Sequence, residues 1–428
     1  MALIDSFMQA RERLLVLGGN LPHKKVVEQL NALGYYTIVF DINDNPPAKE
    51  IANHFEQISI TDKNAVLKGA QTLGVDQIIN CCNDYAIPVT SFVSEKLGLP
   101  SSLSMDSALD CTDKIRMKNK FAANGIPSSS YQVLSSKTDQ RIYLQFPIIV
   151  KPADSSGSKG ISIVNDEKDV FSALEFAFSQ CIFKQEVIVE EFIDGDEFQV
   201  DCVVQNGTTK IVLIKLKPKF HTKEFSSCVG SIISPILYKK YYKLFLSLAE
   251  SIAMAFHIDN NTFFFQVIVN DQCPSVIELG VRVGGGWSYK MVKEITGCDI
   301  LRFSLLSQLG LKETLVINPP QQFYNTIFLF AKKGIVNNVI GFETLNDNHI
   351  IESFQVLLKK GNSVDGRITN KNRAAIFMVC ANSMKSLVGK IEQAIESVDI
   401  LDINGESLFD RDLYTSFITR LNSGEMNA

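Results

Sequence analysis

No Cys-x-x-Cys pair and no Cys/His spacing typical of a metal centre occurs in this chain, although it carries nine cysteines. The usual sequence basis for a structural zinc site is therefore missing. The cysteines are scattered and odd in number, and no secretory leader is recognisable in the first residues, MALIDSFMQARERLLVLGG. Both features imply reduced thiols and a cytoplasmic setting. No stretch approaches the roughly 18 uninterrupted apolar residues of a membrane span, so none is expected. A basic excess is absent too. The 42 Lys+Arg stand against 47 Asp+Glu, for a net charge of −5, and this argues against a broad nucleic-acid-binding face. Sequence repeats and low-complexity tracts are also missing.

What is present suits a globular protein. The 428 residues, 46% hydrophobic and 21% charged, are enough for two or three domains. From Arg13 to about Leu109 strand and helix patterns alternate, which implies a parallel sheet flanked by helices. Leu14–Leu17 runs into Gly18-Gly19-Asn20, and Tyr36–Phe40 ends at Asp41. Glycines and Asp41 are placed as in a dinucleotide fold, but the glycine fingerprint is incomplete. A degenerate Rossmann-like domain holding a substrate at its strand ends fits better than an NAD-linked dehydrogenase. The adjacent Cys81-Cys82 lies in an apolar run and reads as core. A charged helix opens at Asp113-Lys114 and stops at Asn124-Gly125-Ile126-Pro127, and a further boundary falls at Pro319-Pro320. Lys215, Lys217 and Lys219 alternate, followed by His221 and Lys223. That run reads as one solvated strand face, with a local basic groove as the other possibility.

The stretch Phe146–Gly160, FPIIVKPADSSGSKG, carries the strongest chemical signal. An apolar run delivers Lys151, a small-residue loop (Ser155, Ser156, Gly157, Ser158, Lys159, Gly160) follows, and a β-branched run resumes at Ile161. Glycines allow close backbone approach to an anion and a lysine adds a point charge. The pattern is neither a P-loop nor a dinucleotide turn, because a helix would have to follow the glycines. It is a third kind of nucleotide loop or an ordinary Ser/Gly hairpin.

Three further features accompany it. Glu190-Glu191-Phe192-Ile193 leads to Glu197, a strand edge that can offer backbone groups to a purine and a carboxylate to a ribose. Gln266 and Glu278 lie on successive strands across a turn, and they are oxygen ligands suited to Mg²⁺. Arg282 precedes Gly284-Gly285-Gly286 and can bind a carboxylate or a phosphoryl group bidentately.

In this order the residues resemble the ATP-grasp superfamily, in particular its carboxylate–amine ligases of the L-amino acid ligase and carbamoyl-phosphate synthase type. The resemblance implies an α/β and α+β chain: a Rossmann-like domain over 1–110, a lid with the phosphate loop over 111–195, a domain with the metal ligands over 196–319, and a small α+β domain over 320–428. It implies ATP and Mg²⁺, or Mn²⁺ in its place, as cofactors. Small-molecule carboxylate and amine substrates are implied as partners, with no nucleic acid or membrane, and a homodimer is consistent with the family. Lys114 and Lys151 match the two ATP-contacting lysines, Ser155–Ser158 and Gly160 the phosphate loop, Glu190, Glu191 and Ile193 the adenine site, and Glu197 the ribose site. Gln266 and Glu278 match the metal ligands. Arg282, with Lys151, matches the catalytic cations, and Gly284, Gly285 and Gly286 lie beside the substrate. The chain departs at Gly280, where the family usually has a metal-binding asparagine, and at Gln266, usually acidic. The implied activity is acyl-phosphate formation and transfer to an amine, releasing ADP and phosphate. A regulatory ATP-binding protein and a purine-pathway carboxylase or ligase are alternative members of the same fold.

Overall fold

Strand β1 (Arg13–Leu17), helix α1 (Leu21–Ala32), β2 (Tyr36–Phe40), β3 (His54–Glu56), α2 (Lys63–Thr72), β4 (Gln77–Ile79) and α3 (Ala86–Leu97) open the chain in the computed structural model. The structure describes residues 11–136, 141–154, 160–221 and 226–423. The four strands form a parallel sheet in the order β3-β2-β1-β4. Leu14–Leu17 and Ile38–Phe40 are buried on both faces, as helices over both sides of a parallel sheet require. Asp41 accepts a hydrogen bond from Gly19 N at 2.7 Å and so closes the turn after β1.

Helices α4 (Met105–Thr112) and α5 (Lys114–Ala123) meet at Asp113. Its carboxylate accepts from Ile115 N and Arg116 N at 3.0 and 3.2 Å, capping α5 and setting Lys114 at its first turn. Next come β5 (Tyr131–Leu134), β6 (Ile148–Pro152), β7 (Ser162–Val164), α6 (Val170–Ser179) and β8 (Val187–Glu191). They build an antiparallel sheet ordered β5-β8-β6-β7. Ile148, Val150, Val187 and Val189 pack there against Val170, Leu174 and Ala177 of α6.

The rest of the chain supplies β9 (Asp196–Gln205), β10 (Thr208–Leu216), β11 (Lys219–His221), β12 (Ser226–Cys228), β13 (Gly230–Ile233), α7 (Pro235–Ala255), β14 (Asn261–Asn270), β15 (Cys273–Gly280), α8 (Ser288–Thr296) and α9 (Ile300–Gln308). It ends with β16 (Phe323–Phe330), β17 (Gly334–Ile340), α10 (Phe342–Asp347), β18 (Ser353–Val356), β19 (Ser363–Val364), β20 (Arg373–Ala381), α11 (Met384–Ser397), β21 (Asp399–Asp402) and α12 (Arg411–Asn422). Eight of these strands form one antiparallel sheet, β15-β14-β9-β10-β13-β16-β20-β18. Because β16 pairs with β13, the sheet runs without interruption across the boundary expected at 319.

One face of that sheet is apolar and is covered by α7, where Phe198 and Phe265 meet Tyr241 and Phe245. Strand alternation sends Glu197, Gln199 and Asp201 of β9 and Phe264 and Gln266 of β14 to the other face. On β15, Val276 pairs with Val267 while Glu278 pairs with Gln266. Residues two apart on a regular strand share a face. Here a bulge at Ile277 sends Val276 to the core and Glu278 to the polar side. No helix among the described residues is long and apolar enough to cross a membrane.

Candidate functional site

Helix α5 and the sheet β5-β8-β6-β7 contribute lysines held by one carboxylate. Glu190, 2% exposed at the end of β8, meets Lys151 of β6 at 2.5 Å and Lys118 of α5 at 3.1 Å. Ser129 Oγ donates to the same carboxylate at 2.9 Å, and Lys118 Nζ donates to Ser128 and Ser129 at 3.0 and 2.7 Å. Burial alone would raise the Glu190 pKa, but Lys151 and Lys118 outweigh it and hold the group down at about 2. Lys118 is pulled down to about 8 by burial, which Glu190 only partly offsets. The Glu190 side chain is therefore turned inward to an ion triad. Its backbone sits between Tyr131 of β5 and Ile149 of β6, so β8 is an interior strand here and not the edge expected from the sequence. Glu191, the last residue of β8, and Ile193, in the segment after it, are half-buried.

The polar face of the large sheet supplies the opposing groups. Gln266 and Glu278 stand directly across from one another. Burial raises the Glu278 pKa, countered in part by Lys114, Lys151 and Arg282, with Asp84 adding to the rise. Lys114 is lowered by burial, with Glu278 as its foremost opposing charge. Arg282 donates from Nε to Asp84 Oδ1 at 2.6 Å, from Nη2 to Asp84 Oδ2, and from Nη1 to Val283 O at 2.8 Å. Among the described residues those bonds occupy three of the five guanidinium N–H donors and leave two. Its plane lies over the Phe264 ring, 5.0 Å from the centroid.

Phe264 explains Gly280. The two are cross-strand partners, and a Cβ at 280 would lie 2.6 Å from Phe264 Cζ. The position that carries a ligand in the family's usual pattern is thus filled by an aromatic ring from the next strand. Gly280→Asn is expected to overpack this corner, at about 1–3 kcal/mol. A lowered melting temperature that largely recovers when Phe264→Ala is added would bear this out; an unchanged melting temperature would not.

Glu197 meets Lys219 at 2.5 Å. Gly160 has φ +73, and Pro152 Cγ stands 2.7 Å from where its Cβ would be, so the loop re-enters β7 through a position only glycine suits. Ser155, Ser156, Gly157, Ser158 and Lys159 lie outside the described residues, as does Lys223. Gly284 rests on Gln199, Asp201 and Ser288; Gly285 O accepts from Ser288 Oγ at 2.8 Å; Gly286 approaches the Phe328 ring.

The expected solvated face at Lys215–Lys219 is overturned. Lys215 is 1% exposed and paired with Asp201 at 2.6 Å, Lys217 lies 5.7 Å from the Phe328 centroid, and Lys219 pairs with Glu197. The three lysines follow the alternation, but this face looks into the site rather than into water.

Two site residues escaped sequence reading. Lys118 follows Lys114 at helical i,i+4 spacing, which places both on one face of α5 and could have pointed to it. Asp84 lies just past β4, where ligands gather in parallel sheets. It reaches Arg282 because α9 docks the two units: Gln77 Nε2 donates to Gln308 O at 2.5 Å, Asn80 N to Gln308 Oε1 at 3.0 Å, and Val283 N to Cys81 O at 3.0 Å.

Residues 144–290 match the family model described as an ATP-grasp domain. The chain is 24% identical over 302 residues to an L-arginine-specific L-amino acid ligase of Bacillus subtilis, covering 67% of this chain and 72% of that protein. It is 21% identical over 315 residues to dapdiamide A synthase of Enterobacter agglomerans, covering 68% and 72%. The crystal structure of an L-amino acid ligase from Bacillus licheniformis superposes with a TM-score of 0.77 at 18% identity, over 92% of this chain and 99% of that one. Residues 144–290 thus carry an ATP-grasp domain, and nearly the whole chain shares the fold of that L-amino acid ligase structure.

Proposed function

We propose that this protein is an ATP-dependent ligase that converts a small carboxylate to its acyl phosphate and passes the acyl group to an amine. The product is an amide or peptide-like bond, with ADP and phosphate released. One observation carries the reading: Lys114 and Lys151 from the lid and Arg282 and Asp84 from the opposite side all gather within electrostatic reach of Glu278, which stands across from Gln266. Bringing an anionic carboxylate against an anionic phosphate requires cations that stay fixed while charge redistributes. Lys114 and Lys151 would hold the phosphates, with Ser155, Ser156, Gly157, Ser158 and Gly160 as the further phosphate contacts that the motif implies. The end of β8 and the segment after it, at Glu190, Glu191 and Ile193, would take the adenine and Glu197 the ribose. Arg282 keeps two N–H donors for the substrate carboxylate or the moving phosphoryl group, beside Gly284–Gly286.

Gln266 and Glu278 fit a hard divalent cation. They oppose each other on one face, and Glu278 is a desolvated carboxyl whose neighbouring cations do not fully compensate its burial. Mg²⁺, or Mn²⁺, held there would neutralise phosphate charge, and such ions commonly use one or two protein oxygens together with phosphates and water. Closure of the lid over the site would exclude water from the acyl phosphate. In domain terms, 1–110 is read as the Rossmann-like unit, 111–195 as the lid, 196–319 as the metal-ligand unit and 320–428 as a carboxy-terminal unit.

A screen of paired amino acids and small carboxylic acids, coupled to ADP release, is expected to give turnover that needs both substrates and Mg²⁺. Gly280, with Phe264 in the space of a ligand, is the observation favouring a regulatory ATP-binding protein instead. ATP binding without ADP release for any pair would decide for that second reading.

A further inference from the structure

Beneath the Gly284–Gly286 loop lies a closed polar cluster that nucleotide and metal binding leave unused. Lys215 and Asp201, each 1% exposed, form an ion pair at 2.6 Å. Gln199 Nε2 donates to the other Asp201 oxygen at 2.9 Å. Lys215 Nζ donates to Ser288 Oγ at 2.5 Å, which commits the Ser288 proton to Gly285 O at 2.8 Å. The loop sits flush on this cluster. A Cβ on Gly284 would lie 2.8 Å from Ser288 Oγ and 2.9 Å from Asp201 Oδ1, and closer still to Gln199 Nε2.

Stability does not account for such a pair. Replacing a buried ion pair by apolar side chains of similar volume is often neutral or stabilising, because the desolvation of two charges is avoided. What apolar groups lack is direction. The ammonium fixes which way the Ser288 hydroxyl points, the hydroxyl fixes the Gly285 carbonyl, and that peptide sets the course of the backbone between Arg282 and α8. Trp287, the next residue after the glycines, is held at φ +75 with its indole N–H donating to Gln355 Oε1 at 2.6 Å.

We infer that Lys215, Asp201 and Ser288 are positioning residues: a buried polar strut that holds the Gly284–Gly286 loop, and with it Arg282, in the geometry the reaction needs. This rests on the ligase reading for its purpose, but not for its test. Trp287 is the chain's single tryptophan, so its emission reports the loop directly.

The informative variants are Ser288→Ala and the apolar double variant Lys215→Met/Asp201→Leu, compared with wild type by melting temperature, Trp287 emission with acrylamide quenching, ATP affinity, and kcat on a substrate pair that the wild type turns over. The double variant is expected to melt at or above the wild-type temperature and to bind ATP normally. Its Trp287 should become more quenchable, and its kcat should fall about 10²-fold, the scale of a misplacement near 1 Å. Ser288→Ala should move the same readouts in the same direction by less. A folded double variant with wild-type Trp287 emission and wild-type kcat overturns the inference. If the double variant does not fold, an unaltered Trp287 signal in Ser288→Ala overturns it. Should the wild type turn over no pair, the ligase reading fails, while Trp287 still decides the strut.

Discussion

Lys151→Ala is expected to lower ADP release by about 10²–10³-fold, the usual loss when one fixed electrostatic contact to a transition state is removed. The fold should survive the change. Glu190 would keep Lys118 at 3.1 Å and the Ser129 hydroxyl at 2.9 Å, so no buried carboxylate is stranded. Melting temperature and turnover should therefore separate, one nearly constant and the other collapsing. Glu278→Ala should behave alike in turnover, because it removes the carboxylate opposite Gln266. Full ADP release in either variant, measured with saturating ATP and Mg²⁺, would defeat the ligase reading.

Removing Glu190 should have the opposite profile, with the larger effect on stability. Glu190→Ala leaves Lys118, 3% exposed, and Lys151 facing each other without a counter-charge. Breaking a buried pair from one side costs about 3–5 kcal/mol. The same triad gives wild type an acid limb. The Glu190 pKa is depressed from 4.5 to about 2 in the folded chain, so its contribution is present above the unfolded value and is lost as pH falls through the folded one. Denaturant titrations between these two pH values should show a loss on the order of 3 kcal/mol in wild type and a flatter profile in Glu190→Gln. Equal slopes for the two proteins would contradict the assigned ion triad.

Much of this was legible in the chain because its signals are local. Lys151 is recognisable because a strand-forming run ends on a lysine and passes into a small-residue loop. Asp113 is recognisable because a carboxylate before a helical run is a cap. Lys118 had a local signal in its spacing from Lys114, but its meaning depends on Glu190, which only strand pairing brings to it. The alternating lysines from 215 to 219 illustrate the converse. Alternation establishes that they share a face, and nothing in the run reveals that Lys215 is buried against Ser288 of α8 while Lys217 faces Phe328 and Lys219 meets Glu197.

The sequence alone determined the order of elements, the strand–lysine–loop hairpin, and the kinds of group available for nucleotide chemistry: lysines early, carboxylates in the middle, arginine and glycines last. Those follow from side-chain chemistry and from the two backbone periods, which act over a few residues. Tertiary structure decided which of these groups face each other. A one-residue bulge at Ile277 turned Glu278 from core to site, docking of Gln308 against β4 brought Asp84 to Arg282, and cross-strand register set Phe264 against Gly280. Each depends on pairing between segments distant in sequence, where a shift of one residue reverses which way a side chain points.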